Sequence, residues 1–239
     1  MAVRKISLLC LVWLFMPYPA QSSPALSPGA GQHASHLVVG AFSSGDLVSW
    51  EKHGFNGETR YQLVRHKDTQ VLEAQCRNSA SGLVRKQKID LNTTPLMHWS
   101  WRVDNIYEDI DETRREGDDY PASLYVAVQT GLTILSVRAL HYVWSSNQPQ
   151  DSSWHSAYTD NVIQVAVRSG QDARAGRWYT EARNVKEDFK RYFDLDVEQI
   201  DSISLMSDCD NSEGEGRAFY GDILFGPDSG SLLSLESPE

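Results

Sequence analysis

Short runs of alternating apolar and polar residues recur along most of this chain with no long helical segment between them, and they constrain its fold most. In the first half they span Leu37 to Phe42, Tyr61 to Arg65, Gln70 to Cys76, Leu83 to Leu91 and Leu96 to Asp104. Ser123 to Thr130, Ile134 to Ser145, Val162 to Arg168, Trp178 to Asn184, Ile200 to Ser207 and Ala218 to Phe225 follow. Val, Ile, Tyr, Trp and Thr are frequent in them, and such side chains suit a pleated, half-buried surface. Turn-forming clusters separate many of the runs: Asn78 to Gly82, Asn92 to Pro95, Ser169-Gly170 and Asn211 to Gly216. About ten strands without strand–helix alternation predict an all-β fold, a two-sheet antiparallel β-sandwich of the jelly-roll kind. One short helix is expected near 186–193, where Phe189, Tyr192 and Phe193 fall at helical spacing behind Asn184, a good N-cap residue. The stretch Asn105 to Glu116 reads as a loop or a polar helix.

The N-terminus bears on compartment. Arg4 and Lys5, the apolar stretch Ile6 to Met16, and a small-residue region with prolines read as a signal peptide over residues 1–25. That apolar stretch is shorter than the roughly 20 residues a bilayer span needs, so no stable membrane span is expected after cleavage. Leu8 and Leu9 before Cys10 are not the small residues a lipid-attachment site wants. The expectation is an exported protein, periplasmic or extracellular. It would have a flexible Ser/Pro/Gly leader at 26–36, the sandwich at 37–227 and a C-terminal tail at 228–239. Loss of the signal leaves Cys76 and Cys209, which either pair in an oxidising compartment or sit as two separate buried thiols. Against 22 Lys and Arg stand 32 Asp and Glu, a net charge of −10. Such a chain lacks the basic stripe of a nucleic-acid binder. Phosphate-cradling glycine loops, nucleophile elbows and zinc-ligand spacings are also missing.

Four regions carry candidate chemistry. In Met97 to Asp104 the period of a strand puts Met97, Trp99, Trp101 and Val103 on one face and His98, Ser100, Arg102 and Asp104 on the other. Two Trp on a sheet are either a stacking platform for sugar rings or core. Their company of Met and Val favours core and turns attention to Arg102. The segment Asp104 to Asp119 holds eight acids against Arg114 and Arg115. A run of this kind is usually a solvated loop. Asp118 and Asp119, just ahead of a strand, are its best-placed members and suit a hard cation or sugar hydroxyls. Asp208, Asp210 and Ser212 alternate like the start of a calcium loop. Glu213 in place of the turn glycine and Phe219 in place of the closing Glu exclude an EF-hand. Finally, Glu181 and Arg183 share a strand face, and Asp222 inside an apolar strand needs a partner. Trp144 and Trp154 are candidate stacking residues, Trp154 because its neighbours are polar.

The ordered motifs between about Phe42 and Phe225 resemble a bacterial family of exported proteins known as domain of unknown function 3047. They are Trp99 to Val103, Gly117-Asp118-Asp119, Leu140 to Trp144, Trp178, Glu181 to Val185 with Asp188, Ser207 to Asn211, and Gly221-Asp222-Ile223. That family is uncharacterised, so the resemblance implies no activity. The chain also looks like the galactose-binding-type jelly rolls of carbohydrate-binding modules. This second resemblance implies a structural calcium held by a last-strand acid, here Asp222, with an early-strand acid, Glu51 or Asp46. The resulting expectation is an exported, non-catalytic glycan-binding sandwich whose ligand meets Arg102, Asp118, Asp119, Trp144, Trp154, Glu181, Arg183, Asp208 and Asp210. The alternatives are a polysaccharide hydrolase or lyase using a carboxylate pair, and an adaptor in an envelope assembly.

Overall fold

The structure is a computed structural model that describes residues 36–131, 133, 136–170 and 176–227. The expected signal peptide, the leader up to residue 35 and the tail from residue 228 lie outside the described residues. The strands are β1 (Leu37–Gly40), β2 (Glu51–Asn56), β3 (Arg60–His66), β4 (Thr69–Arg77), β5 (Ala80–Asp90), β6 (Leu96–Val103) and β7 (Ala122–Gln129). They continue with β8 (Val137–Ser145), β9 (Ser153–Ser156), β10 (Thr159–Ser169) and β11 (Tyr179–Asn184). Helix α1 (Val185–Phe193) and strands β12 (Gln199–Asp208) and β13 (Glu215–Gly226) complete the order.

Two sheets face each other, as the alternating pattern predicts. One has the order β11-β6-β13-β4-β3, with β1 added beside β13, and the other runs β2-β5-β12-β7-β8-β10-β9. Neighbours are antiparallel except β8 and β10, which pair in parallel. This departs from the fully antiparallel sandwich for a topological reason. Strand β9 carries the chain back from β8, and β10 then inserts between β8 and β9, so it must run with β8. Strands β2 and β9 escape the sequence pattern. Glu51–Asn56 and Ser153–Ser156 are short, polar edge segments, one with a glycine inside, so neither shows a run of alternating apolar residues. The turn expected over Asn78 to Gly82 is confined to its first residues, since β5 already starts at Ala80.

The core is the dry layer between the sheets. From β6 come Met97, Trp99, Trp101 and Val103, each fully buried, and from β13 Ala218, Tyr220, Ile223 and Phe225. The opposing sheet supplies Leu124 and Val126 of β7, Tyr142 and Trp144 of β8, and Leu205 of β12. Trp99 meets Trp101 edge-on at 5.4 Å between ring centroids and stacks on Tyr142 at 5.8 Å. The paired Trp are therefore core, and truncating either to Ala costs about 3–5 kcal/mol. Trp144 is fully buried against Trp101 at 5.7 Å, so it is not the stacking residue for a ligand that its run suggested. Its side chain alternates in phase with Leu140 and Tyr142, which places it inside.

Helix α1 follows directly on β11. The Asn184 side chain accepts the N–H of Glu187 as an N-cap, and Asp194 takes the left-handed conformation (φ 54°) that ends the helix. Phe189 buries into the core, while Asp188 accepts the Tyr142 hydroxyl at 2.8 Å and both arms of the Arg183 guanidinium at 2.6 and 2.8 Å. No helix among the described residues is long and apolar enough to cross a membrane.

Candidate functional site

The acidic segment is the first place where the structure gathers chemistry. It is mostly a loop, with one 3-10 turn at Arg115–Gly117. Two of its acids are fully buried, so the solvated-loop expectation fails at these positions. Glu112 turns inward and accepts the N–H groups of Ser146, Asn147 and Gln148 together with the Ser145 hydroxyl. Burial pushes its carboxyl up in spite of those donors. Glu112 thus pins the loop to the end of β8. Gly117 is required where the loop folds back on itself, because a Cβ there would come within 2.6 Å of the Asp111 carbonyl oxygen.

Pinning the loop fixes Asp119 beside the β12 end. Asp119 accepts the N–H of Asn211 at 3.2 Å and of Ser212 at 2.5 Å. Asp208 accepts the N–H of Tyr120 at 3.2 Å, and Asp210 accepts the Asn56 amide at 2.9 Å. One carboxylate oxygen from each of Asp119, Asp208 and Asp210 lies within 4.8 Å of the other two. Among the described residues, none of the three has a Lys or Arg at ion-pair distance. Burial, followed by the charges of Asp119, Asp118 and Asp210, pushes the Asp208 carboxyl well up. Opposed oxygens of a Ca²⁺ ion lie roughly 4.6–5.2 Å apart, twice a bond of about 2.3–2.6 Å, so this hard-oxygen set fits a cation of that kind. Beside it the structure joins Cys76 to Cys209 with Cα atoms 6.1 Å apart, linking β4 of one sheet to the residue following β12 of the other.

Asp118, the neighbour of Asp119 in the chain, points elsewhere. It accepts the Tyr120 hydroxyl at 2.8 Å and the Gln164 amide at 3.4 Å, and it lines a cleft on the outer face of the seven-stranded sheet. Burial, only partly offset by the Tyr120 hydrogen bond, pushes its carboxyl up to about 7. The cleft walls include Phe55 of β2, Lys86 of β5, Tyr125 of β7, Tyr158 of the β9–β10 turn and Ser204 of β12. Tyr125 is half-buried and stacks on His141 at 3.6 Å between centroids, 11° from parallel. His141 is held uncharged by burial, its pKa pushed well down. Lys86 lies 3.7 Å from Glu51, and Lys52 pairs with Glu58 at 2.6 Å, so the cationic rim is largely balanced. The enclosed part is small, about 90 Å³, so a ligand would lie along the cleft and not sink into it.

The candidate residues do not converge on one place. Asp118 lines the cleft, and Asp119, Asp208 and Asp210 form the acidic cluster next to it. Arg102 is on the other sheet, paired to Asp104 at 2.6 Å and lying over the Phe219 ring. Glu181 accepts from Arg168 at 2.5 Å and from the Trp101 indole at 3.0 Å, while Arg183 is spent on Asp188. Trp154 is half-buried against Tyr120, Val143 and Ala166 with its indole N–H on the Glu112 carbonyl. It braces the acidic loop and is not a free stacking face. Asp222 and Glu51 do not make a metal pair: Asp222 accepts the Ser43 N–H and hydroxyl at 2.8 and 2.5 Å, and Glu51 faces Lys86 on the other sheet. The cleft aromatics Phe55, Tyr125 and Tyr158 escaped the sequence reading. Tyr125 alone carried a signal there, since Leu124, Val126 and Val128 fill the inward phase of its strand.

A family model described as a protein of unknown function (DUF3047) matches residues 48–224. Among curated proteins none matches the sequence. A mutant of a carbohydrate binding module of family 29 is 10% identical, with 81% of this chain and 92% of that chain covered and a TM-score of 0.38. The K3 cleaved adhesin domain of Lys-gingipain from Porphyromonas gingivalis is 11% identical, covering 80% and 99%, with a TM-score of 0.44. The xyloglucanase domain of NopAA, a type three effector from Sinorhizobium fredii solved with cellobiose, is 7% identical, covering 74% and 92%, with a TM-score of 0.44. Likeness at this level carries nothing about what the present chain binds.

Proposed function

The chain belongs to the DUF3047 family of proteins of unknown function, and from that premise and the chemistry of the cleft we propose that it is a saccharide-binding β-sandwich. The ligand is an uncharged oligosaccharide lying across the outer face of the seven-stranded sheet. The carrying observation is Tyr125, braced on one side by His141 and lining the cleft beside the Asp118 carboxyl. Sugar rings present C–H faces that suit an aromatic ring, and their hydroxyls need acceptors and donors such as Asp118 and Ser204. A braced ring loses little conformational freedom on binding, which favours affinity. Calorimetric titration against a panel of neutral oligosaccharides tests the reading, with Tyr125→Ala and Phe55→Ala each expected to weaken binding at least tenfold.

A calcium ion on Asp119, Asp208 and Asp210 would act as a staple for the cleft rim. It would neutralise three carboxylates that have no cationic partner among the described residues. In this proposal the protein is exported, residues 1–25 being its signal peptide. The Cys76–Cys209 link supports that, because disulfides persist in oxidising compartments.

One observation favours a second reading. Asp118 at about 7 is poised to exchange a proton near neutral pH, as a general acid or base must. Among the described residues the other carboxyl in the cleft wall is Glu51. Reducing ends released from the bound oligosaccharide, and lost in Asp118→Asn, would establish hydrolysis. Binding without turnover leaves the protein a binding module.

A further inference from the structure

A second pocket, of different chemistry, spans the outer face of the six-stranded sheet and its β11 edge, where Arg168 of β10 reaches across from the other sheet. It is open to solvent and offers about 650 Å³, wide enough for a short chain to lie in it. Lys67, Arg102, Arg168 and Arg177 line it, and no acid does among the described residues, in a chain whose net charge is −10. Trp178 anchors the segment that builds the pocket. It packs on Val64, Val71 and Phe219 and donates its indole N–H to His66 at 3.3 Å, carrying Arg177 and Tyr179 to either side of it.

The cations are held for recognition. Arg102 gives Nε and Nη2 to Asp104, and Arg168 gives the same two nitrogens to Glu181, so each keeps Nη1 uncommitted. The Arg168 and Arg177 guanidinium groups lie 4.4 and 5.5 Å from the Tyr179 ring centroid. Arg177 and Lys67 have no carboxylate at ion-pair distance among the described residues, which leaves two uncompensated charges beside two guanidinium groups held in place by acids. Each remaining Nη1 can donate to one carboxylate or sulfate oxygen, and the Arg177 guanidinium can match two of them in a pair. Lys67 sits on the β3–β4 turn at one edge of the sheet, and Arg177 leads into β11 at the other. Charges placed so widely suit several acidic groups along one short chain better than one small ion. The negative charge of the whole molecule works against a long polyanion such as a nucleic acid.

We infer that this pocket binds a short acidic oligosaccharide through its carboxylate or sulfate-ester groups. The site is separate from the cleft, and the two fail separately. Titration of the full chain with trigalacturonate, with a sulfated disaccharide and with uncharged maltotriose tests it. At least one acidic probe binds, with an affinity that falls steeply with salt, and the uncharged probe leaves the pocket empty. The tighter acidic probe tells carboxylate from sulfate recognition. Joint Lys67→Gln and Arg177→Gln substitution weakens that probe at least tenfold and flattens its salt dependence, while Tyr125→Ala leaves it unchanged. Failure of both acidic probes at millimolar concentration, equal affinity in the double variant, or tighter binding of an oligothymidylate overturns the inference.

Discussion

The two outer faces of this sandwich share one core and differ in nearly everything else. On the seven-stranded sheet the face is aromatic, with balanced Lys–Glu pairs at its rim and in its wall Asp118, whose carboxyl burial pushes up to about 7. On the six-stranded sheet it is cationic, with Arg102 held by Asp104 and Arg168, reaching over from β10, held by Glu181. The core fixes only the inward phase of each strand, so the outward phase is where chemistry is chosen independently for each sheet. The two faces also lie toward opposite ends of β4. Its Thr69 end adjoins Lys67 of the cationic pocket, and its Cys76 end adjoins the disulfide and the acidic cluster that borders the cleft. Perturbing one end should therefore separate the two faces.

The largest such perturbation is removal of the Cys76–Cys209 link by joint Cys76→Ser and Cys209→Ser substitution. The bond closes a sequence separation of 133 residues and ties one sheet to the other. Its loss should cost about 2–5 kcal/mol in a denaturant melt. Amide exchange should quicken around Asp119 and Asp208 and stay unchanged around Arg177. Uniform quickening on both faces would show that the faces are not independent.

Calcium gives a further effect. If Asp119, Asp208 and Asp210 hold the ion, saturating calcium at about 100 times its dissociation constant stabilises the fold by about 2.7 kcal/mol. Asp208→Asn should abolish that gain. The cluster carboxyls Asp119 and Asp208 are pushed up by burial, so metal must displace protons. The calcium-induced rise in Tm should accordingly be larger at pH 8 than at pH 5. A gain that is equal at both pH values, or that survives Asp208→Asn, places the ion elsewhere.

The most local of these effects is proton linkage at Asp118. Its folded-state pKa of about 7 lies above the ordinary carboxylate value of 3.8. Between those two pH values the folded chain keeps a proton that the unfolded chain has lost, so stability falls as pH rises through that window. Asp118→Asn keeps an acceptor for Tyr120 and Gln164 and removes the buried charge. With about 7 set against 3.8, the variant should gain up to about 4 kcal/mol relative to wild type at pH 8 and almost nothing at pH 4. Equal effects at both pH values would mean that Asp118 titrates as an ordinary surface acid.

Most of the fold was legible because period-two patterning is written locally. Met97, Trp99, Trp101 and Val103 declare their shared face within seven residues, and Asn184 with Phe189 declares the helix. The exceptions were β2 and β9, polar edge strands that lack the pattern, and the β8–β10 pairing, which depends on where the chain returns. The site was legible only in part. Asp118, Asp119, Asp208 and Asp210 stood out by charge, but that Asp119 meets the latter two across 89 and 91 residues is a consequence of β7 pairing with β12. Glu181 and Arg183 looked available because their partners, Arg168 and Asp188, belong to other elements. Trp154 looked exposed from its polar neighbours, yet its ring rests on Tyr120, 34 residues upstream.

The central claim is that the aromatic cleft on the seven-stranded sheet is where this protein meets its ligand. Parallel calorimetric titration of wild type and Tyr125→Ala against neutral oligosaccharides tests it most directly. The account predicts at least one oligosaccharide that wild type binds and that Tyr125→Ala binds at least tenfold more weakly, a difference of about 1.4 kcal/mol or more. An oligosaccharide bound equally by both proteins, or a panel that wild type ignores altogether, would contradict it.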